Sequence, residues 1–428
     1  MLFYLNFRRK HLENIIEELN WRGLIQEYSN EEKMKELLST KQTIYCGFDP
    51  SASSMHVGNF VMISILMRLQ RAGHKVIAVV GGATGMIGDP SGKSKERNLQ
   101  GKETLQKNTE SIRAQLERFI DLTDPEKGAI VNNYDWLGNI SFLDYLRDYG
   151  KYFPINYMLS KDIIASRLEA GISFTEFSYM TLQSVDFLTL HQKYGCNIQI
   201  GGNDQWGNLT AGLELIRKVE GNDVNVGVMT AHLLTRADGK KFGKSEDGAL
   251  FLDPKLTSPY KLYQYFINTT DEDAIRYLKV FSFKSREEII AIEKEHLANP
   301  GARIGQKALA ADIVETIHGK EGLEEALKVT QAFFSGDVKN LTEEQIENVL
   351  GGGNVVELDS SLPLEDLLIL IKAASSKREA REFIAGNSVL VNGDKVNSNI
   401  EVSKENALFN KYTIIRRGKK NYFLVKHL

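Results

Sequence analysis

The strongest constraint on the fold is an alternation of short β-forming runs with glycine-bearing loops and helix-spaced apolar segments. Gln42-Thr43-Ile44-Tyr45-Cys46-Gly47-Phe48 is rich in β-formers and ends at Asp49-Pro50. After a serine-rich turn it gives way to helix-like apolar spacing from Val57 to Leu69. Lys75-Val76-Ile77-Ala78-Val79-Val80 reads as a second buried strand, running into Gly81-Gly82-Ala83-Thr84-Gly85. Strands that alternate with helices pack as a parallel sheet with both faces covered. The predicted fold class is therefore α/β, with a doubly wound Rossmann-like parallel sheet. Ligands of such sheets bind beyond the carboxyl ends of the strands, where both glycine-bearing loops fall. Residues 103–195 are mostly helical in pattern, Asn197-Ile198-Gln199-Ile200 reads as another strand, and Gly201-Gly202 turns it into a helix from Trp206 to Val219.

A chain of 428 residues is too long for one ordinary core. The first domain is expected over 1–247, with a helical insertion at about 120–165. From Pro259 to Phe334 the pattern is helical with few strand signals, which predicts an α-helical domain over 248–335. Gly351-Gly352-Gly353-Asn354 punctuates a linker expected over 336–362. The remainder, 363–428, reads as a small α+β module. It has helices at Leu364–Ala374 and Lys377–Ala385, a hairpin turning at Asn392-Gly393, and paired strands from Tyr412 to Val425.

Charge is uneven. Residues 363–428 hold twelve Lys+Arg against seven Asp+Glu, a balance of +5, which leaves −8 on the rest of a chain of net charge −3. A basic module on an acidic body suggests a polyanion held at one end. Cys46 and Cys196 are the only cysteines, too few for a disulfide framework. No stretch approaches the roughly 20 apolar residues of a membrane span. The apolar opening Met1–Leu5 is followed by Arg8-Arg9-Lys10, the reverse of a secretory signal, so a cytoplasmic protein is expected. The eight histidines show no metal-ligand spacing, and no structural metal is expected.

Two signatures almost two hundred residues apart, His56-Val57-Gly58-Asn59 and Lys241-Phe242-Gly243-Lys244-Ser245, together read as an ATP site. Tyr179, Gln183 and Asp186 are spaced i, i+4 and i+7, so a helix places them on one face.

The two signatures resemble the HxGH-type and KMSKS-type loops of class I aminoacyl-tRNA synthetases. Further motifs are similar to the bacterial-type tyrosyl-tRNA synthetases: Tyr45-Cys46-Gly47-Phe48-Asp49-Pro50, Gly88-Asp89-Pro90-Ser91-Gly92-Lys93, Phe174-Thr175-Glu176-Phe177-Ser178-Tyr179-Met180 and Gly201-Gly202-Asn203-Asp204-Gln205-Trp206-Gly207-Asn208. In the tail, Ser376-Lys377-Arg378-Glu379-Ala380-Arg381 followed by Val391-Asn392-Gly393 resembles an S4-type RNA-binding domain. The resemblance runs from about Glu17 through nearly the whole chain. Two positions depart from the class pattern: Asn59 stands where many members have a second histidine, and Phe242-Gly243 lies between the lysines.

The resemblance implies a tyrosine–tRNA ligase. It would activate L-tyrosine with ATP to tyrosyl-adenylate and pyrophosphate, then transfer tyrosyl to the 3′ end of tyrosine tRNA. Catalysis would fall to His56, Asn59, Lys93, Arg97, Lys241 and Lys244. Tyrosine would be held by Tyr45, Asp89, Tyr179, Gln183, Asp186 and Gln205. ATP would be held by Gly47, Asp49, His56, Asn59, Gly202, Asp204, Lys241, Lys244 and Ser245. Lys377, Arg378, Arg381, Arg416 and Arg417 would contact tRNA. ATP acts as a substrate with Mg2+, without a tightly bound cofactor, and a homodimer meeting near 120–165 is implied. Two other readings compete. One is a tryptophanyl-tRNA synthetase, against which Asp186 with Tyr45 argues for a phenol over an indole, or a nucleotidyltransferase, against which the helical domain and S4-like tail argue. The other is a synthetase-like RNA-binding protein without aminoacylation, which would have no need of Lys93, Arg97, Lys241 and Lys244.

Overall fold

The computed structural model describes residues 15–92, 99–169, 171–237, 239, 242–245, 248–351, 355–418 and 421–428. They fall into two compact units, Met1–Asp253 with Thr270–Gly305, and Pro254–Thr269 with Gln306–Leu428.

The first unit is built on a six-stranded sheet of β1 (Ile25–Tyr28), β2 (Thr43–Phe48), β3 (Lys75–Val80), β4 (Gly128–Asn132), β5 (Cys196–Gly202) and β6 (Gly227–Ala231). The order is β1-β6-β5-β2-β3-β4, parallel throughout except for β1, which runs antiparallel to β6. Every residue of β6, and all of β3 after Lys75, is buried, as continuous apolar strands between two helical layers should be. β2, β3 and β5 match the sequence expectation. β4 corrects it, because it interrupts the stretch 103–195 and the insertion 120–165 that were expected to be helical. It is a five-residue edge strand, Gly-Ala-Ile-Val-Asn, with only two residues fully buried, too short and too little patterned to stand out. Two short strands, β7 (Lys244–Ser245) and β8 (Gly248–Ala249), pair antiparallel beyond the sheet.

The expected helical domain 248–335 does not hold together. Helices Asp271–Phe281 and Arg286–Ala298 belong to the first unit, and the former is held by its buried apolar face, with Phe281 stacked on Phe60, and by polar contacts at its end. Arg22 donates to the carbonyls of Lys279, Ser282 and Lys284 at 2.7–2.8 Å, and Arg68 donates to those of Val280 and Ser282 at 3.0 and 2.7 Å. Two buried guanidiniums thus satisfy the open carbonyl end of the Asp271–Phe281 helix, where positive charge is favoured.

The second unit holds helix Pro259–Ile267, most of Ile304–Ser335, which breaks at Gly319 (φ 75°, ψ 179°), and the chain that follows. Its strands are β9 (Val355–Leu358), β10 (Leu362–Pro363), β11 (Val389–Val391), β12 (Asp394–Lys395), β13 (Glu401–Val402), β14 (Tyr412–Arg417) and β15 (Asn421–His427). β12-β11-β14-β15-β9 form one sheet, and β10 pairs with β13. The stretch 336–362, expected to be a linker, is folded instead. It carries helix Glu343–Leu350, and its β9 runs parallel to β15. Val338, Leu341 and Ile346 share a core with Phe333, Tyr412, Ile414 and Leu424. Residues 352–354 of the glycine cluster lie outside the described residues.

The hairpin β11–β12 turns at Asn392 (φ 49°) and Gly393 (φ 91°), the left-handed pair of a type I′ turn that the Asn-Gly dipeptide favours. A methyl group on Gly393 would stand 2.3 Å from the Gly336 carbonyl oxygen. Gly393→Ala is therefore expected to destabilise the second unit by about 1–3 kcal/mol, read as a lower urea midpoint of the tail's unfolding transition.

Candidate active site

β2 and β5 lie side by side although about 150 residues separate them, with Tyr45 opposite Gln199. From β2 the chain proceeds to β3 and β4 on one side, then returns to β5 and β6 on the other. The crevice beyond their carboxyl ends is thus the topological switch point of the sheet. β2 delivers Gly47 and Asp49 to it, β5 delivers Gly202, and the 3-10 turn Asn203–Gln205 delivers Asp204 and Gln205.

At one side of the crevice, His56 caps helix Val57–Ala72. Its Nδ1 accepts from the Asn59 amide at 3.3 Å, while the Asn59 side-chain oxygen accepts from the His56 amide at 3.0 Å. With Nδ1 accepting, the proton of the neutral ring sits on Nε2, which becomes a donor at an exposed helix N-terminus. The second signature reaches the same place. A methyl on Gly243 would lie 3.5 Å from the Gly58 amide nitrogen, the Leu250 amide donates to the Gly243 carbonyl at 3.0 Å, and the Val57 amide donates to the Leu250 carbonyl at 2.9 Å. The fold thus joins the backbones of the two signatures. Lys93, Arg97 and Lys241, and the side chains of Lys244 and Ser245, lie outside the described residues.

The loop after Gly88 meets the β5 end. Asp89 accepts from Gln205 Nε2 at 2.6 Å and from the Ser91 amide at 3.0 Å, and Asn208 Nδ2 donates to Gln205 Oε1 at 3.0 Å. Asp49 accepts from Thr84 Oγ1 and from the Tyr179 hydroxyl, each at 2.7 Å. Gly81 has to be a glycine, because a methyl there would stand 2.0 Å from Asp49 Oδ1.

Helix Phe174–Tyr194, capped by Ser173, presents Tyr179, half-buried Gln183 and buried Asp186 along one face, as the spacing predicted. Asp186 accepts from Trp136 Nε1 at 2.7 Å and from Asn133 Nδ2 at 3.0 Å. Burial pushes its carboxyl up to about 7, against the opposing pull of those two donors. Burial also holds the Tyr45 and Tyr179 phenols well above their ordinary range, with nearby carboxylates adding to it, so both remain neutral. The buried Tyr45 hydroxyl has no hydrogen-bond partner among the described residues. An unsatisfied buried hydroxyl beside a fixed carboxylate is costly, and it suits a ligand that both donates and accepts at one oxygen.

Asn133, Trp136 and Thr84 escaped the sequence reading. The signal available for the first two was the end of a strand at Asn132, concealed because β4 itself was not recognised.

In the second unit the predicted basic residues divide by role. Arg416 donates to the Tyr422 hydroxyl at 3.2 Å, and Arg417 donates to the Ala373 carbonyl at 2.6 Å and lies over Phe383. Both therefore take part in internal packing. Lys377, Arg378 and Arg381 lie on the exposed face of helix Lys377–Ala385, paired with Asp366, Glu382 and Glu365 at 2.5–3.1 Å. The exposed Arg378–Glu382 pair contributes little to stability.

Comparison with known proteins is consistent along the chain. Residues 38–335 match the family model described as tRNA synthetases class I (W and Y), and residues 345–425 match the tyrosine–tRNA ligase SYY-like C-terminal domain. The chain is 49% identical to the tyrosine–tRNA ligase of Listeria monocytogenes over 97% of its own length and 100% of the relative's. It is 48% identical to that of Bacillus caldotenax, with the same coverage of both. A C-terminally truncated mitochondrial tyrosyl-tRNA synthetase of Aspergillus nidulans superposes with a TM-score of 0.70 at 29% identity, covering 78% of this chain and 100% of that one.

The raised carboxyl of Asp186 has a consequence for stability. Between about pH 4 and 7 the unfolded chain has this carboxyl ionised while the native state keeps its proton, so its contribution to stability falls as pH rises. Asp186→Ala is expected to remove that slope, seen as wild-type and variant urea-unfolding curves that diverge across this window and run parallel above it.

Proposed function

This chain belongs to the class I tyrosyl-tRNA synthetases, and on that premise we propose how its residues divide the work of a tyrosine–tRNA ligase. The observation that carries the assignment is the pair formed by the partnerless Tyr45 hydroxyl and the Asp186 carboxylate fixed by Asn133 and Trp136. A substrate phenol donates to Asp186 and accepts from Tyr45, so one hydroxyl satisfies both groups. Phenylalanine would leave both unpaired. Sites of this design reject the analogue lacking the hydroxyl by about 10⁴ to 10⁵, a magnitude known for this class of enzyme and not obtained from the geometry. An indole offers no oxygen to accept from Tyr45, which disfavours tryptophan.

Tyr179, Gln183 and Asp89 supply acceptors for the substrate ammonium, with Asp49 and Gln205 close to the reacting end. Gly47, Gly202 and Asp204 take the nucleotide, the carboxylate of Asp204 accepting from ribose hydroxyls. His56 Nε2 and the helix N-terminus that it caps receive the phosphates, joined by Lys93, Arg97, Lys241, Lys244 and Ser245. Mg2+ enters with ATP, held mainly by phosphate oxygens and water.

In the first step a tyrosine carboxylate oxygen bonds to the α-phosphorus as the bond to the bridging oxygen breaks, releasing pyrophosphate. A carboxyl of pKa about 3.5 is already ionised at pH 7, so no general base is needed. Alignment and cations aimed at the leaving group supply the catalysis. A hydroxyl of the terminal tRNA ribose then attacks the activated carbonyl, AMP departs, and the hydroxyl proton is released. Lys377, Arg378 and Arg381 hold tRNA phosphates. Exposed Phe142, Leu143, Ile155 and Phe174 support a homodimer contact close to the stretch 120–165. No helix among the described residues is long and apolar enough to cross a membrane, and two buried free cysteines fit the reducing cytoplasm.

ATP–pyrophosphate exchange with each of the twenty amino acids tests the assignment, with exchange on tyrosine alone expected and its absence refuting it. Asp186→Ala should lower the tyrosine-over-phenylalanine ratio by about 100-fold or more, and an unchanged ratio would mean the hydroxyl is read elsewhere. Arg378→Ala should raise the KM for tRNA while exchange stays at the wild-type rate. Equal loss in both assays would remove the tail from tRNA binding.

A further inference from the structure

The segment carrying Lys241 and Lys244 leaves the sheet after β6 and is tied down before it reaches the first lysine. The Ala237 amide donates to Asp273 Oδ2 at 3.0 Å, and the Tyr277 hydroxyl donates to the Thr235 carbonyl at 3.0 Å. Arg276 donates to the same carbonyl and, at 2.5 Å, to Asp273 Oδ1. Asp273 is 3% exposed and sits in the first turn of helix Asp271–Phe281. Between the lysines, Phe242 packs against Tyr277 and Phe281, with ring centroids 4.8 and 5.4 Å away. Phe281 in turn stacks on Phe60, 6.1 Å away, one turn into the helix that His56 caps. Arg22 and Arg68 hold the far end of helix Asp271–Phe281. One helix therefore touches the root of the lysine segment, its middle, and the helix bearing the other signature.

We propose that Asp273 is a positioning residue for amino-acid activation: by holding the Ala237 amide, with Tyr277 on Thr235, it fixes the root from which the chain runs on to the lysine signature, whose Phe242 and Gly243 lie against Phe281 and the His56 helix. The inference rests on the reading that those lysines act on the phosphates of ATP. A first-turn carboxylate with no further role would affect folding stability alone. A positioning residue affects the rate of the chemical step and leaves binding of the other substrate intact, because small misplacements of catalytic groups are costly in rate.

The test uses the full-length enzyme and single-turnover tyrosyl-adenylate formation, with tyrosine affinity by equilibrium dialysis and thermal unfolding alongside. Asp273→Ala is expected to slow adenylate formation by about 10- to 100-fold with tyrosine affinity unchanged. Asp273→Asn, whose amide oxygen still accepts from Ala237, should remain within a few-fold of wild type. Tyr277→Phe, which loses one hydroxyl and keeps the aromatic packing, should give a smaller loss of the same kind and covers the case in which Asp273→Ala does not fold. In a Lys244→Ala background Asp273→Ala should add little, the non-additivity of two changes acting through one segment. The proposal is overturned by an unchanged rate in Asp273→Ala and Tyr277→Phe, by a parallel loss of tyrosine affinity, or by full additivity with Lys244→Ala. If Lys244→Ala alone keeps the wild-type rate, the assignment of the lysines to ATP fails. If Lys244→Ala is slow and the Asp273 and Tyr277 variants are not, only the positioning role fails.

Discussion

Parallel pairing of β2 with β5 is the constraint on which the rest of the catalytic unit depends. It places the ends of two strands distant in sequence side by side, with Asp49 following the one and Asp204 and Gln205 the other within a few positions. Helices cover such a sheet on both faces, so its strands stay apolar and chemistry is left to the loops beyond their ends. Asp49, Asp89 and Asp204 from such loops converge with Asp186 from helix Phe174–Tyr194 without any two being neighbours in sequence. Asp49, Asp89 and Asp186 are each held by donors from other elements, which lets a largely apolar fold tolerate several carboxylates in one crevice.

Much of this was legible in the residues. β2 and β3 declare themselves by continuous β-branched and aromatic content, the Asn392-Gly393 turn by its dipeptide, and the Tyr179–Gln183–Asp186 face by spacing alone. The two phosphate-side signatures were readable as motifs, but their contact through Gly243, Leu250 and Val57 is tertiary and had no sequence signal. Asn133 and Trp136 were hidden because β4 is a short edge strand whose pattern is weak. The linker reading of 336–362 failed for a related reason: β9 gains its order from pairing with β15, some seventy residues later, and not from its own four residues. The division of the helical region failed because it is decided by tertiary partners, Arg22 and Arg68 for the carbonyls and Phe60 and Phe242 for Phe281, which nothing local to 271–281 reveals.

The two units also interleave along the chain. Pro254–Thr269 belongs to the second unit, yet the chain then returns to the first for Thr270–Gly305. A fragment cut after Asp253 would keep every strand of the six-stranded sheet and still lose the carbonyls that Arg22 and Arg68 pair with. A piece that keeps the first unit whole is therefore longer than the sheet suggests and runs to Gly305. Modular exchange of these units by simple end-to-end recombination is closed to this architecture, because no single crossover point separates them.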